Sequence, residues 1–249
     1  MSGIHSILFV IHILTGTAAL ILFWIPMCSK KGQLNHVTYG RFYVNTMYAV
    51  AASGALMAIM VLVAPMTIKA DIILNARDPA AAITSIRIFW SFLLYLSLLS
   101  FVTTRHGVAV LKVRQNRELL RRWHYLLPLV ALVIVGTVFA ITGFIGSRHL
   151  HTLFGFFGCV LGYGLLRYCL KTQLNKGEWV LEHIGTIIGS AIGAYTAFLA
   201  FGGRVIFAEL GQWQLAFWIA PGVIGGIAAN MITKKYAVKL GLHHAKPIS

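Results

Sequence analysis

Long apolar runs alternate along this chain with short polar connections rich in lysine and arginine. A helix needs about 20 predominantly apolar residues to cross the hydrocarbon core of a bilayer. Seven stretches qualify: Ile4–Met27, Phe42–Met66, Ala80–Thr104, Tyr125–Ile145, His151–Leu170, Trp179–Phe201 and Trp213–Thr233. The third has a clear start, because Asp78 can cap it and Pro79 suits the first helical position. Arg87 falls one or two turns inside that span, where its long side chain can snorkel to the headgroups. Closed β-barrels show alternating segments of roughly ten residues instead, and the chain has no such pattern. The prediction is an all-α polytopic transmembrane helix bundle of seven spans, with residues 1–249 as a single integral membrane domain.

Composition agrees and removes several alternatives. Of the 249 residues, 58% are hydrophobic and only 11% are charged. A soluble domain carries about 25% charged residues, so this chain cannot coat a water-facing surface of its length. A soluble enzyme, a disordered tail and a disulfide scaffold are therefore excluded as first readings. The formal net charge of +15 does not point to nucleic acid, because the basic residues cluster between apolar runs. That placement suits the inner face of a membrane, where anionic lipids attract lysine and arginine.

With the N-terminus outside, 16 of the 21 basic residues fall on the inner side. The outer side keeps Lys69, Arg77, Arg87, Arg148 and Arg204. The positive-inside rule then predicts an external N-terminus and a cytoplasmic C-terminus. The first run lacks a basic segment before it and is followed by Lys30 and Lys31, so it reads as a retained span and not a cleaved signal. Cys28, Cys159 and Cys169 form no spacing pattern that argues a disulfide or a Cys-rich metal site. The connection Arg105–His124 mixes apolar with basic residues; it reads either as an extension of the third span followed by a segment along the inner surface, or as an ordinary basic loop.

Lipid offers no hydrophobic drive for helix association, so small residues that let backbones approach have to provide it. Gly185, Gly189 and Gly193 make a four-residue stripe in the sixth span. Gly222 and Gly226 do the same in the seventh, and Gly158 and Gly162 in the fifth. These predict close crossings, within one chain or between two copies in a homo-oligomer.

Ionisable groups are few. All six acids, Asp71, Asp78, Glu118, Glu178, Glu182 and Glu209, fall in connections or at span ends. That argues against a carboxylate-coupled pump and against carboxylate-rich calcium or magnesium sites. No Walker A loop and no serine nucleophile elbow occurs. Ten histidines remain, in an outer tier (His5, His12, His149, His151), an inner tier (His36, His106, His124, His183) and a tail pair (His243, His244). His12 lies about 12 Å along its helix, where a polar ring needs a partner, a cavity or a ligand. At 100° per residue, His12 shares a face with Thr15, Gly16 and Ala19, and His151 with Gly155, Gly158 and Gly162. His183 likewise stands over Ser190, Ala194 and Ala197. Either another helix packs on such a face, or a flat cofactor does with imidazole as its axial ligand. The run from His36 to Arg41 sets a titratable ring and a cation just before a span, where they could hold a lipid headgroup or a quinone carbonyl.

The chain resembles a large, mostly bacterial family of multi-pass membrane proteins labelled as a domain of unknown function. The resemblance rests on His12-Ile-Leu-Thr-Gly16-Thr-Ala-Ala-Leu20 and on His36 followed by Gly40-Arg41. It continues in Trp179 and His183, then Thr196-Ala197-Phe198, with Trp218 and Pro221 in the last span. His149 and His151 lie outside that pattern. The resemblance implies a bacterial inner-membrane location and a core centred on histidine and arginine, and supplies no established reaction.

Three functions are open on this reading. The first is a redox membrane protein holding a b-type haem or another imidazole-bound metal and exchanging electrons with quinone. His12 and His151 would be an outer ligand pair, His124 and His183 an inner pair, and His36 with Arg41 a headgroup or quinone contact. The second is a non-catalytic accessory or assembly subunit whose histidines hydrogen-bond between helices. The third is a small-solute transporter without carboxylate coupling.

Overall fold

The computed structural model describes residues 2–203 and 214–242. Glu209, Trp213, His243, His244 and two of the counted basic residues, Arg204 and Lys246, lie outside the described residues. The helices are α1 (Ser2–Cys28), α2 (Leu34–Val63), the short α3 (Pro65–Ile68) and α4 (Ala70–Leu74), α5 (Pro79–Val113), α6 (Trp123–Ile145), α7 (His149–Leu170), α8 (Glu178–Ala197) and α9 (Gln214–Lys239). A 3₁₀ turn covers Glu118–Arg121 and a π turn Phe198–Gly202. Among the described residues there is no strand. Seven of the helices are long and apolar enough to cross a membrane. Their outward faces are apolar as well: Ile7, Leu14 and Ile21 of α1 are 62%, 64% and 63% exposed. A continuous apolar face of that kind suits lipid and not water. The protein is a multi-pass helical membrane protein.

Most predicted spans agree with helices to within a few residues, and two differ for physical reasons. The second helix starts at Leu34, eight residues before the apolar run at Phe42, because polar residues in its first turns face a protein partner. It stops at Val63 because Pro65 has no N–H to continue the ladder and opens α3 instead. The fifth helix runs on to Val113, as the amphipathic connection suggested. Its start is capped as expected: Asp78 Oδ1 accepts from the N–H groups of Ala80 and Ala81 at 2.9 and 3.0 Å.

The chain falls into two compact units. Unit 1 comprises Met1–Phe101 and Leu127–Leu166, unit 2 comprises Val102–Leu126 and Arg167–Ser249. In unit 1, α1 packs along α2. A close helix crossing there joins α6 to α7 through glycine. A Cβ on Gly155 would lie 2.6 Å from the Gly136 carbonyl oxygen, and one on Gly143 would lie 2.6 Å from the Thr152 nitrogen. Gly158 is needed to admit the Tyr95 hydroxyl, which donates to the Phe154 carbonyl at 3.1 Å. The Gly158 and Gly162 stripe therefore packs as the sequence predicted.

In unit 2 the described glycines of the other two stripes are not covered within the chain. A Cβ added at Gly185, Gly222 or Gly226 would meet nothing within 4 Å. The pairing of α8 with α9 uses the next position instead, with Gly225 lying against Ile192. The basic connection after α5 holds the end of another helix. Arg117, 5% exposed, donates from Nη1 to the Tyr168 carbonyl at 2.8 Å and from Nη2 to the Thr172 carbonyl at 3.3 Å. Arg121 donates to the carbonyls of Cys169 and Lys171 at 3.1 and 2.9 Å. The last carbonyls of a helix have no intrahelical donor and carry partial negative charge, so two guanidinium groups cap α7.

Candidate functional site

His12 is half-buried on α1 and faces α2. Its Nδ1 lies 3.0 Å from Ser53 Oγ. The Ser53 hydroxyl already donates to the Ala49 carbonyl at 2.7 Å and shares that hydrogen with Val50 at 3.2 Å. Ser53 Oγ is therefore the acceptor, Nδ1 carries the ring hydrogen, and Nε2 keeps its lone pair. An imidazole oriented in this way through one nitrogen is how ligating or proton-accepting histidines are commonly held. Gly54 makes the approach possible: His12 Cε1 and Ser97 Oγ lie 3.3 and 2.8 Å from the point a Cβ would occupy. The ring and Ser97 of α5 thus both lie against Gly54.

Ser97 also lines a groove of about 820 Å³ between α2, α5 and α6. Alanines 51, 52 and 55 leave the space, and Tyr48, Phe101 and Phe139 supply aromatic walls. Its volume is that of a small-molecule site, which typically holds about 300–1,000 Å³. The hydroxyls of Ser91, Ser97 and Tyr95 on this lining already donate to the carbonyls of Arg87, Leu93 and Phe154. They can accept from an occupant and have no hydrogen left to give it.

His151 belongs to a different part of unit 1. It stacks on Phe92 at 4.3 Å and tilts against Phe139 at 5.6 Å, and its buried Nε2 has no hydrogen-bond partner. The glycine face beneath it is filled by α6 and by Tyr95, which answers in favour of helix packing there. His12 and His151 thus have separate protein partners. Among the described residues, no group of three or more His, Cys, Asp or Glu is placed to hold a metal ion.

The remaining predicted residues are spread out. His183 Nδ1 donates to the Gly107 carbonyl at 2.7 Å, joining α8 to α5. His124 is exposed, edge-on to Trp123. His36 Nδ1 donates to the Pro26 carbonyl at 3.0 Å, and Lys31 Nζ donates to Pro26 and Met27 at 2.8 and 2.7 Å. Together they cap the end of α1, which favours positive charge; burial holds the Lys31 amine below the ordinary lysine range. Arg41 is exposed.

Sequence reasoning missed Ser53, Gly54, Ser97 and the groove. A small polar pair in mid-span was visible at Ser53-Gly54, but which helix it would face depends on packing. Comparison with known protein families, curated proteins and solved structures gives no match. The site therefore has to be judged on its own residues.

Proposed function

We propose that this membrane protein binds a lipid-soluble, ring-bearing molecule of the quinone class in the groove of unit 1, with its N-terminus outside and its C-terminus in the cytoplasm. The observation that carries the reading is an apolar groove of ligand size with aromatic walls and hydroxyls that can accept. Small, flat and apolar molecules dissolved in the bilayer match aromatic walls set on an alanine floor. A quinol hydroxyl would find an acceptor in Ser97 Oγ, and the oriented imidazole of His12 lies against the neighbouring Gly54. His36 and Arg41 lose priority as the quinone contact, since His36 is engaged in capping α1.

The test is saturable binding of decylubiquinone to the purified chain, followed by tryptophan fluorescence quenching. Ala55→Phe fills the groove and is expected to weaken binding at least about tenfold, or about 1.4 kcal/mol. Gly164→Ala, at a position where a Cβ meets nothing within 4 Å, should bind as the parent does. Non-saturable partitioning that is the same in all three proteins would sink the reading.

A second reading keeps the haem. It is favoured by the buried, unpartnered Nε2 of His151 and by the free lone pair implied for His12 Nε2. It predicts a Soret band on adding haemin that is lost in His12→Ala or His151→Ala; a spectrum identical to haemin in empty detergent removes it.

A further inference from the structure

Unit 2 contains ionisable side chains that the groove does not use. His106 sits on α5 and is 1% exposed. Both ring nitrogens are engaged: Nδ1 with the Tyr125 hydroxyl at 2.9 Å and Nε2 with Glu182 Oε1 at 3.1 Å. An ionised carboxylate only accepts, so Nε2 carries the hydrogen and Nδ1 of the neutral ring accepts from Tyr125. The Glu182 side chain is 24% exposed, while Tyr125 is 7% exposed. Exposure thus falls from the carboxylate inward to the imidazole. Counting from the sequence put Glu182 at a span end; the structure turns it toward a buried base.

The surroundings are unusual for a pair that only ties helices together. Tyr168 of α7 stands edge-on to His106 at 5.5 Å, and its buried hydroxyl has no hydrogen-bond partner. An unpaired buried hydroxyl costs about 1–3 kcal/mol. Arg105 lies over the Tyr125 ring at 4.4 Å and Arg117 over the Tyr168 ring at 5.9 Å. Buried Cys169 lies within electrostatic reach of Glu182, Glu178 acts on Tyr168, and His183 is held on the Gly107 carbonyl. A charge-capable pair inside a bundle is also a poor adhesive, because apolar residues of the same size would hold α5 to α8 without the desolvation cost.

We propose that His106 and Glu182 form a proton-exchange site, loaded with one proton at the ring nitrogen that faces Tyr125. Uptake adds one proton and no electrons. The ring gains a hydrogen at Nδ1, Tyr125 turns from donor to acceptor, and the new positive charge rests against the Glu182 carboxylate. Release reverses each of these changes. The site rests on unit 2 alone and stands or falls independently of the groove.

Imidazole ¹⁵N resonances of the full chain test it, with His106 assigned by the signal lost in His106→Gln. Lowering the pH stepwise over the range in which the full chain stays folded is expected to convert Nδ1 reversibly from bare to hydrogen-bearing. In Glu182→Gln, where the counter-charge is gone, that conversion should be lost over the same range. An Nδ1 signal that stays fixed in the parent protein overturns the proposal, as does equal conversion in Glu182→Gln. A static helix tie would leave the signal unmoved.

Discussion

Gly155→Ala is expected to destabilise the protein by about 3 kcal/mol in thermal unfolding in detergent, the upper part of the usual range for overpacking. The added carbon would fall 2.6 Å from the Gly136 carbonyl oxygen and still closer to the Ala140 nitrogen. Both are backbone atoms of α6, which cannot swing aside as a side chain can, so α7 has to move away. That movement also strains the neighbouring fit, where Gly158 admits the Tyr95 hydroxyl on its way to Phe154. Tyr95 and Phe139 line the groove, so decylubiquinone binding should weaken along with stability. The matched control is Gly185→Ala, where the new carbon meets nothing. There alanine's better helix propensity should leave stability unchanged or raise it by up to about 1 kcal/mol. Equal losses at the two glycines would contradict the assigned crossing.

The second large effect concerns the guanidinium caps. Arg117→Leu should cost about 3 kcal/mol, because charge-assisted hydrogen bonds contribute roughly 1.5–3 kcal/mol and the carbonyls of Tyr168 and Thr172 would be left without this donor. Arg121 makes two similar bonds from an exposed position. Water competes for its partners, and Arg121→Leu is expected to cost less than about 1 kcal/mol. The ratio between the two variants, measured by the same unfolding assay, separates burial from bond number. If both cost the same, the buried cap is not what secures the end of α7.

Those arginines show how a correct pattern can carry an incomplete meaning. Positive charge collected at one side of the spans was plain in the chain, and attraction to anionic lipid was the natural reading. Two of those charges are in fact spent on helix carbonyls, a use that depends on where α7 ends relative to the connection after α5. Glycines tell the same story. Four-residue spacing identifies a stripe on one helix, yet only the partner's position says whether the stripe is filled. Gly158 and Gly162 have neighbours; Gly185, Gly222 and Gly226 do not.

The histidines divide along the same line. His12 announced itself, because a polar ring several turns into an apolar run requires a partner, and Ser53 supplies one. His106 was one of four inner histidines with nothing local to distinguish it. Its significance comes from Tyr125 and Glu182, which are 19 and 76 residues away in the chain.

Number of spans, helical class and the apolar exterior follow from the chain alone, because lipid imposes a length and a polarity on each segment before any two segments meet. Backbone hydrogen bonds in a helix are local, so that part of the structure is written residue by residue. Which imidazole meets a carboxylate, which glycine is covered, and where a groove is left open are set by helix rotation and register. Those depend on close contacts between residues far apart in sequence, and only the folded arrangement decides them.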